Sequence, residues 1–256
     1  MTIKVISLNL WGGGRLFDQA AQFLLHQQAD IMLLQETYDG KSLKIEKRFR
    51  TVSLLTKLFP NHSYNFAPSY LDTRKKEGDI QNGQLIISKF PLNESQTIHP
   101  DVPYGAYDHD SLIDFSNFPA LLQTAFIQVN SKKIKLLNIH GPVNFDGTAD
   151  TKRRLKMRDI ILQEIKNQPN TILGGDFNIQ PQTQTIRDIE AKLTNVFKDE
   201  LKTTFNLKQK NLTNYPGFAD AVVDMMFISP NIKVLKKSCP PVNISDHLPL
   251  VAHLDV

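Results

Sequence analysis

The sequence predicts an α/β fold in one domain, and three observations carry that prediction. The first forty residues read strand, glycine-rich loop, amphipathic helix, strand. The stretch Thr171-Ile172-Leu173-Gly174-Gly175-Asp176-Phe177-Asn178 reads as a buried strand opening into a loop, with a carboxylate and a carboxamide two residues apart. No internal repeat or low-complexity linker divides the 256 residues, a length that suits one large domain with a sizeable core, residues 1–256. In open α/β sheets ligands bind at the carboxyl ends of strands. With period-2 spacing, Asp176 and Asn178 can point the same way there. On its own, such a Gly-Asp-x-Asn stretch also makes ordinary turns.

Taken in order, Ile3 to Leu8 is a partly alternating, β-branched strand, followed by the loop Asn9-Leu10-Trp11-Gly12-Gly13-Gly14. Leu16/Ala20/Leu24 and Phe17/Ala21/Leu25 repeat at four-residue spacing, the apolar stripe of a helix. Ile31 to Leu34 is a wholly apolar strand ending in Gln35-Glu36-Thr37. Ser42 is placed to cap a second helix whose apolar face is Ile45, Phe49, Val52, Leu55 and Phe59. Asn61 to Asp79 reads as irregular, and Gly83 to Ser88 as a strand stopped by Phe90-Pro91. Pro100 to Pro119 reads as a long loop, of the kind usually functional or mobile. Leu121 to Val129 and Lys133 to Ile139 form a hairpin about Asn130-Ser131, ending in His140-Gly141-Pro142. Asp150 or Thr151 caps a helix to about Asn167 with Leu155, Ile161, Leu162 and Ile165 inward, and Thr183 caps a short one with Ile186, Ile189 and Leu193 inward. Leu207 to Phe218 is a polar loop, Val222 to Ile228 a strand with Asp224 in its middle, and Ile232 to Leu235 a short strand. Asn243-Ile244-Ser245-Asp246-His247 leads into the last strand, Leu248 to Leu254.

Composition excludes several classes. Hydrophobic content of 41% and charged content of 22% fit a soluble globular protein, and no apolar run nears the ~18 residues of a membrane span. Met1 to Leu10 lacks a basic region followed by a cleavage site, so no signal peptide is read. The one cysteine, Cys239, excludes an internal disulfide, and its proline-rich loop offers no activating partner. A cytoplasmic monomer is the expectation. The net charge of +4 mildly favours an anionic partner but is too small to signal nucleic acid by itself. The basic runs Lys41–Arg50, Arg74–Lys76, Lys152–Arg158 and Lys198–Lys210 are for the most part read as solvated helix faces.

Polar residues gather at or beside strand ends: Asn9, Glu36, His140, Asp176, Asn178, Asp246 and His247. Each alone has an ordinary structural explanation. Asp224, inside an apolar strand, costs free energy unless something pairs with it, and a histidine would satisfy it. Asn, Glu and Asp are hard oxygen donors of the kind Mg²⁺ or Mn²⁺ takes, and no Cys/His cluster has zinc-finger spacing. Histidines with a further Asp and Asn then serve proton transfer and phosphate contact, a set that suits metal-assisted hydrolysis of a phosphate ester.

Ser7-Leu8-Asn9, Leu34 to Thr37, Gly83 to Pro91, Asn138 to Gly141, Gly174 to Asn178, Val223 to Ile228 and Ser245 to Leu250, in this order and spacing, resemble the endonuclease/exonuclease/phosphatase superfamily with its deoxyribonuclease-I-like fold. The resemblance runs from Ile3 to Leu254. It implies a four-layered α/β sandwich, two packed mixed β-sheets flanked by helices. It implies a metal site for Mg²⁺ or Mn²⁺ with Glu36 as principal ligand and Asn9 and Asp246 completing or supporting it. Asp176 would orient or deprotonate the attacking water, and Asn178 would hold a phosphate oxygen. His247, held by Asp224, would stabilise the phosphorane or move a proton, and His140 would contact the phosphate or assist the leaving oxygen. The resemblance leaves the base open between Asp176 and His247. The chain departs from the abasic-site nucleases, which have an acidic residue where this one has Trp11 and an arginine where it has Val223.

The expected activity is therefore divalent-metal-dependent hydrolysis of a phosphodiester, leaning to a nuclease acting on DNA or RNA. The alternatives are a phosphatase or phosphodiesterase for a small-molecule or lipid phosphate and, with less support, an inactive binding module. Substrate choice is expected from the loops around the strand ends, Asn61 to Gln81, Pro100 to Pro119 and Leu207 to Phe218, with Arg74, Lys75, Lys76, Tyr104 and Tyr107 as candidate substrate contacts.

Overall fold

Strand β1 (Thr2–Asn9) lies parallel to β2 (Ile31–Tyr38), with helix α1 (Phe17–Gln27) crossing between them. After β2 a 3-10 turn (Lys47–Arg50) leads into α2 (Thr51–Leu58). Then come β3 (Ser63–Asp72), β4 (Ile80–Ser88), β5 (Asn93–Ile98), β6 (Ala106–Tyr107), β7 (Leu121–Val129) and β8 (Lys132–His140). Helix α3 (Lys152–Ile165), β9 (Thr171–Asp176), α4 (Gln184–Glu190) and β10 (Thr194–Asn195) follow, then a 3-10 turn (Pro216–Asp220), β11 (Asp224–Ile228), β12 (Lys233–Ser238) and β13 (Leu250–Asp255). This computed structural model describes residues 1–74, 80–108 and 117–256.

The strands form two mixed sheets, one ordered β12-β13-β1-β2-β4-β3-β6 and the other β10-β11-β9-β8-β7-β5. Alternation along the strands divides their side chains between two faces. Ile3, Val5, Ile31 and Leu33 of the first sheet meet Ile134, Leu136, Ile172 and Met226 of the second in the core between them. Ile6, Leu8, Met32 and Leu34 turn the other way, onto Ala20 and Leu24 of α1 and Val52 and Leu55 of α2. Leu137, Leu173 and Phe227 turn onto Met157 and Ile161 of α3 and Ile186 and Ile189 of α4. The result is four layers, α/β/β/α, as the resemblance implied. Among the described residues no helix is long and apolar enough to cross a membrane.

Several local expectations change. Ser42 caps nothing: the helix begins at Thr51, because Ile45 and Phe49 fold back with Tyr38 and Ile80 into a separate cluster. Residues 63–72, read as irregular, are a full strand, with Pro68 accommodated at a register shift against β4. β5 escaped notice because it is an edge strand with almost no apolar pattern. Asp224 opens β11 rather than sitting in its middle. Thr151 caps α3, accepting from Arg154 N at 3.3 Å, while Asp150 takes the N-terminus of α4, accepting from Gln184 N at 2.9 Å and Thr185 N at 2.8 Å. Leu155 and Leu162 are only half-buried; Met157 and Arg154 take the inward positions.

Between the sheets, just below one end, lies a chain of buried amides. Gln35 Nε2 donates to Asn138 Oδ1 (2.7 Å), Asn138 Nδ2 to Gln123 Oε1 (3.1 Å), and Gln123 Nε2 to Asn65 Oδ1 (2.7 Å). Buried amides that bond one another fix the register of the two sheets at this end.

Candidate active site

The parity that fills the core also fills the site. Asn9 continues the inward series of β1 after Ile3, Val5 and Ser7. Asp176 continues that of β9, His140 that of β8, and Asp224 that of β11. In the second sheet His140 pairs in register with Asp176, and Asp176 with Asp224, so the three stand side by side across neighbouring strands. Glu36 is the exception. Its parity would send it to the helix side with Leu34. A register shift between Leu34 and Thr37, with Glu36 at φ 54°, turns its carboxylate inward instead. Glu36 thus sits at a bulge close to the end of β2.

Asn9 joins the two sheets at the site. Its Nδ2 donates to Glu36 Oε1 at 3.0 Å and to Asp176 Oδ2 at 3.1 Å, and its Oδ1 accepts from Trp11 N at 2.9 Å. Gly12 N donates to Glu36 Oε2 at 2.5 Å. That donor comes from a left-handed turn in which Trp11, Gly12, Gly13 and Gly14 all have positive φ. Gly13 must be glycine: a Cβ there would stand 2.1 Å from the Arg48 carbonyl. His140 Nε2 lies 3.8 Å from both Glu36 Oε1 and Asp176 Oδ2. Burial pushes the Glu36 carboxyl up, but His140, the Asn9 amide and the Gly12 N–H outweigh it and hold the group below its ordinary range.

On the other side, His247 Nδ1 is 2.8 Å from Asp224 Oδ2, and His247 Nε2 is 3.8 Å from Asp176 Oδ2. The Asp224 carboxylate inside apolar surroundings therefore has the histidine partner its burial demanded. Burial opposes a charge on the imidazole, but Asp224, Asp246 and Asp176 together outweigh it, and the pKa of His247 is raised to about 10. Phe205 packs on its ring, centroids 4.7 Å apart. Asp246 is held by Lys210, whose Nζ is 2.6 Å from Oδ2 and lies over the rings of Phe205 and Phe218. Ser245 Oγ donates to the Asn9 carbonyl at 2.7 Å, tying this loop to β1.

Asn178 follows Asp176 in a left-handed conformation, φ 53°. Its N–H donates to Asp176 Oδ1 at 2.9 Å, and its Nδ2 to the Gly141 carbonyl at 3.1 Å. Beneath it lies Arg154, fully buried, which donates to the carbonyls of Asn144, Asp146, Ala149 and Asn178. A buried cation spent on four carbonyls fastens the 144–149 loop to the Asn178 turn. Arg154→Met is expected to destabilise the fold by about 3 kcal/mol or more, since the orphaned carbonyls have no replacement donors. A urea unfolding curve with an unchanged midpoint would refute this.

Glu36, His140, Asp176, Asn178, Asp246 and His247 line one cleft of ≈ 720 Å³, with Asn9 and Asp224 behind them. Among the described residues Asp176, Asp224 and His247 present one donor atom each within 4.8 Å of one another. The His247–Asp224 bond makes that trio a proton-holding arrangement. The donors that suit a hard cation are the carboxylates Glu36, Asp176 and Asp246. Asn9 in this conformation turns its N–H toward the carboxylates and its oxygen toward Trp11, so it acts as a clamp between Glu36 and Asp176 rather than offering an oxygen.

The loop residues fare differently. Arg74 lines the cleft, but its guanidinium is paired with buried Asp72 and with the Tyr38 hydroxyl. Lys75 and Lys76 lie outside the described residues. Tyr107 packs on Tyr70 and Phe118, and Tyr104 lies edge-on to His99. Neither tyrosine lines the cleft, whose described aromatic wall is instead Trp11, Tyr38, Phe118, Phe145, Phe205, Tyr215 and Phe218. Sequence reasoning missed Arg15 and Arg48 as cleft residues, while Lys210, Tyr215 and Phe218 come from the loop Leu207 to Phe218, one of the loops expected at the rim. Arg48 and Lys210 fall within basic runs, which look the same whether they face water or a cleft.

The solved structures with this fold include an endonuclease/exonuclease/phosphatase from Beutenbergia cavernae DSM 12333 (TM-score 0.76, 15% identity, covering 99% of this chain and 71% of that one). The mannosyl-6-phosphatase of Bacteroides thetaiotaomicron VPI-5482 is also similar (0.72, 17%, 99% and 100%), as is the human Nocturnin catalytic domain with bound sulfate (0.71, 17%, 99% and 93%). No curated protein matches the chain. The family model described as Endonuclease/Exonuclease/phosphatase family matches residues 6–247, which span every strand-end group described above. Its members are hydrolytic enzymes acting on phosphate esters, in general with a divalent metal, and this chain belongs to that family.

Proposed function

We propose that the chain is a divalent-metal-dependent phosphoesterase that hydrolyses a phosphate ester in the cleft between its two sheets. The observation that carries this reading is the clamp: one Asn9 amide holds a carboxylate from each sheet, Glu36 and Asp176, with His140 3.8 Å from both. Converging carboxylates repel one another unless cations balance them. A Mg²⁺ or Mn²⁺ ion held by Glu36, with Asp246 and Asp176 as further oxygen donors, would neutralise charge developing on the phosphoryl oxygens. His247, protonated through neutral pH, cannot accept a proton, so the reading gives Asp176 the attacking water and His247 a phosphoryl oxygen to donate to. Asn178, with one amide hydrogen committed to Gly141, offers its other to the phosphate. His140, between Glu36 and Asp176, serves the leaving oxygen.

Lys210 shares Asp246 with any cation that binds there. Lys210→Met is therefore expected to tighten Mn²⁺ binding about tenfold, read by electron paramagnetic resonance of free Mn²⁺. Equal or weaker binding would remove Asp246 from the metal site.

On substrate, one support for a nuclease is weaker than its charge suggested: Arg74 is paired with Asp72. We therefore favour a small phosphate ester, a reading in keeping with the fold shared with a sugar phosphatase. The net charge of +4 and the cleft's openness to solvent favour the nuclease reading. A panel of plasmid, abasic duplex, RNA, sugar and inositol phosphates and sphingomyelin, assayed with Mg²⁺ and Mn²⁺, separates the two. Turnover confined to nucleic acids would overturn the preference stated here.

A further inference from the structure

The cleft wall beside Glu36 carries two guanidinium groups that the hydrolytic chemistry does not use. Arg15 Nε and Arg48 Nη1 each lie 3.9 Å from the point where a Cβ on Gly12 would stand, so at most twice that distance separates them. Among the described residues, leaving aside the neighbours Trp11 and Gly13 and the backbone of that turn, no other heavy atom lies within 4 Å of that point. Arg15 is exposed and makes no ion pair among the described residues; its guanidinium stacks 5.1 Å from the centre of the Trp11 ring. Arg48 is anchored by its Nε to Glu46 Oε2 at 3.0 Å and by the Phe49 ring at 4.3 Å, which leaves its terminal nitrogens toward Gly12. Both arginines line the cleft, and Gly12 N is bonded to Glu36. The Glu46 pair takes the Nε edge of Arg48 and part of its charge, while its Nη1 near Gly12 and the unpaired Arg15 guanidinium can still donate to one anion between them.

We propose that Arg15 and Arg48 form an anion subsite for a second phosphate group of the substrate, one that is not cleaved. Trp11 fixes Arg15 and Phe49 fixes Arg48, so both forks are held before the ligand arrives. Such a fork donates paired N–H groups to phosphate oxygens, which suits a dianionic phosphate better than a hydroxyl or amide. The substrate class is then a phosphate ester with a further phosphate a few bonds from the reacting one. This rests on the phosphoesterase reading for the position of the reacting phosphate.

The test is calorimetric binding to the EDTA-stripped protein, which the proposed chemistry leaves inactive, of thymidine 5′-monophosphate, thymidine 3′,5′-bisphosphate and fructose 1,6-bisphosphate. At least one bisphosphate is expected to bind about tenfold or more tighter than the monophosphate, since charge-assisted hydrogen bonds of this type are worth ~1.5–3 kcal/mol. Preference for both bisphosphates means that the second phosphate alone is read; preference for the nucleotide alone means that its base is read as well. Arg15→Gln, on an exposed side chain, should remove part of the preference, and the Arg15→Gln/Arg48→Gln double variant nearly all of it. A preference that survives in a folded double variant overturns the subsite, as does wild-type protein with no preference or with no binding of any of the three. Binding is read without turnover, so an inactive protein that still prefers the bisphosphate would sink the phosphoesterase reading and keep the subsite.

Discussion

Glu36→Gln is expected to lower kcat/KM on any phosphate ester by about a thousandfold or more, because a metal ligand that neutralises transition-state charge contributes several kcal/mol and each 1.36 kcal/mol is tenfold. The substitution keeps the shape of the side chain and an oxygen for Gly12 N, and it leaves the bulged backbone alone. Stability should fall only modestly: the folded site favours the Glu36 charge, and with the glutamine oxygen on Gly12 N its amide nitrogen faces the Asn9 donor, so the variant should unfold a few degrees lower but stay folded. Full activity in Glu36→Gln would remove Glu36 from the chemistry. Loss of activity together with a collapsed melting curve would mean that the carboxylate is structural.

Asp224→Asn is expected to cost about 10²–10⁴ in kcat, the range that a positioned proton donor contributes. The asparagine cannot hold the imidazolium, and the pKa of His247 should fall from about 10 toward that of an ordinary histidine. The shift of the His247 ring protons with pH, followed by NMR, reads this directly. Linkage gives a second readout. A histidine whose pKa is raised on folding adds stability that is fully present below its unfolded value, near 6.5, and is lost as pH rises through its folded value, near 10. Wild-type stability should therefore decline between those limits, and the Asp224→Asn variant should show less of that decline. Activity that depends on the His247 proton should fall over the upper part of the same window. An NMR pKa near 6.5 in the wild type would contradict the account of this pair.

Much of the site was legible because it obeys the same alternation as the core. Asn9, His140 and Asp176 stand in step with inward apolar residues of their strands, and Asp224 was conspicuous as a charge that needed a partner. Glu36 was read from its place at the end of an apolar strand, and the strand does end close by, at Tyr38, but it is the bulge at φ 54° that brings the carboxylate inward. Short-range patterns do not report such bulges. The rim was read least well. Its contacts join residues far apart in the chain, such as Lys210 with Asp246 or Arg48 with Gly12, and no spacing rule links them. Arg74 was chosen for its charge, but Asp72, two residues earlier, already satisfies that charge. The strand at 63–72, read as irregular, holds Pro68 at a register shift, and such a shift is a tertiary feature.

The measurement closest to the central claim is hydrolysis of bis-p-nitrophenyl phosphate by protein stripped with EDTA and then given Mg²⁺ or Mn²⁺. This substrate carries a single phosphate and asks nothing of the rim. The account predicts no release of nitrophenolate from the stripped protein, release that returns with added metal in the wild type, and none in Glu36→Gln at any metal concentration. Release that persists in excess EDTA, or that returns equally in Glu36→Gln, would contradict it.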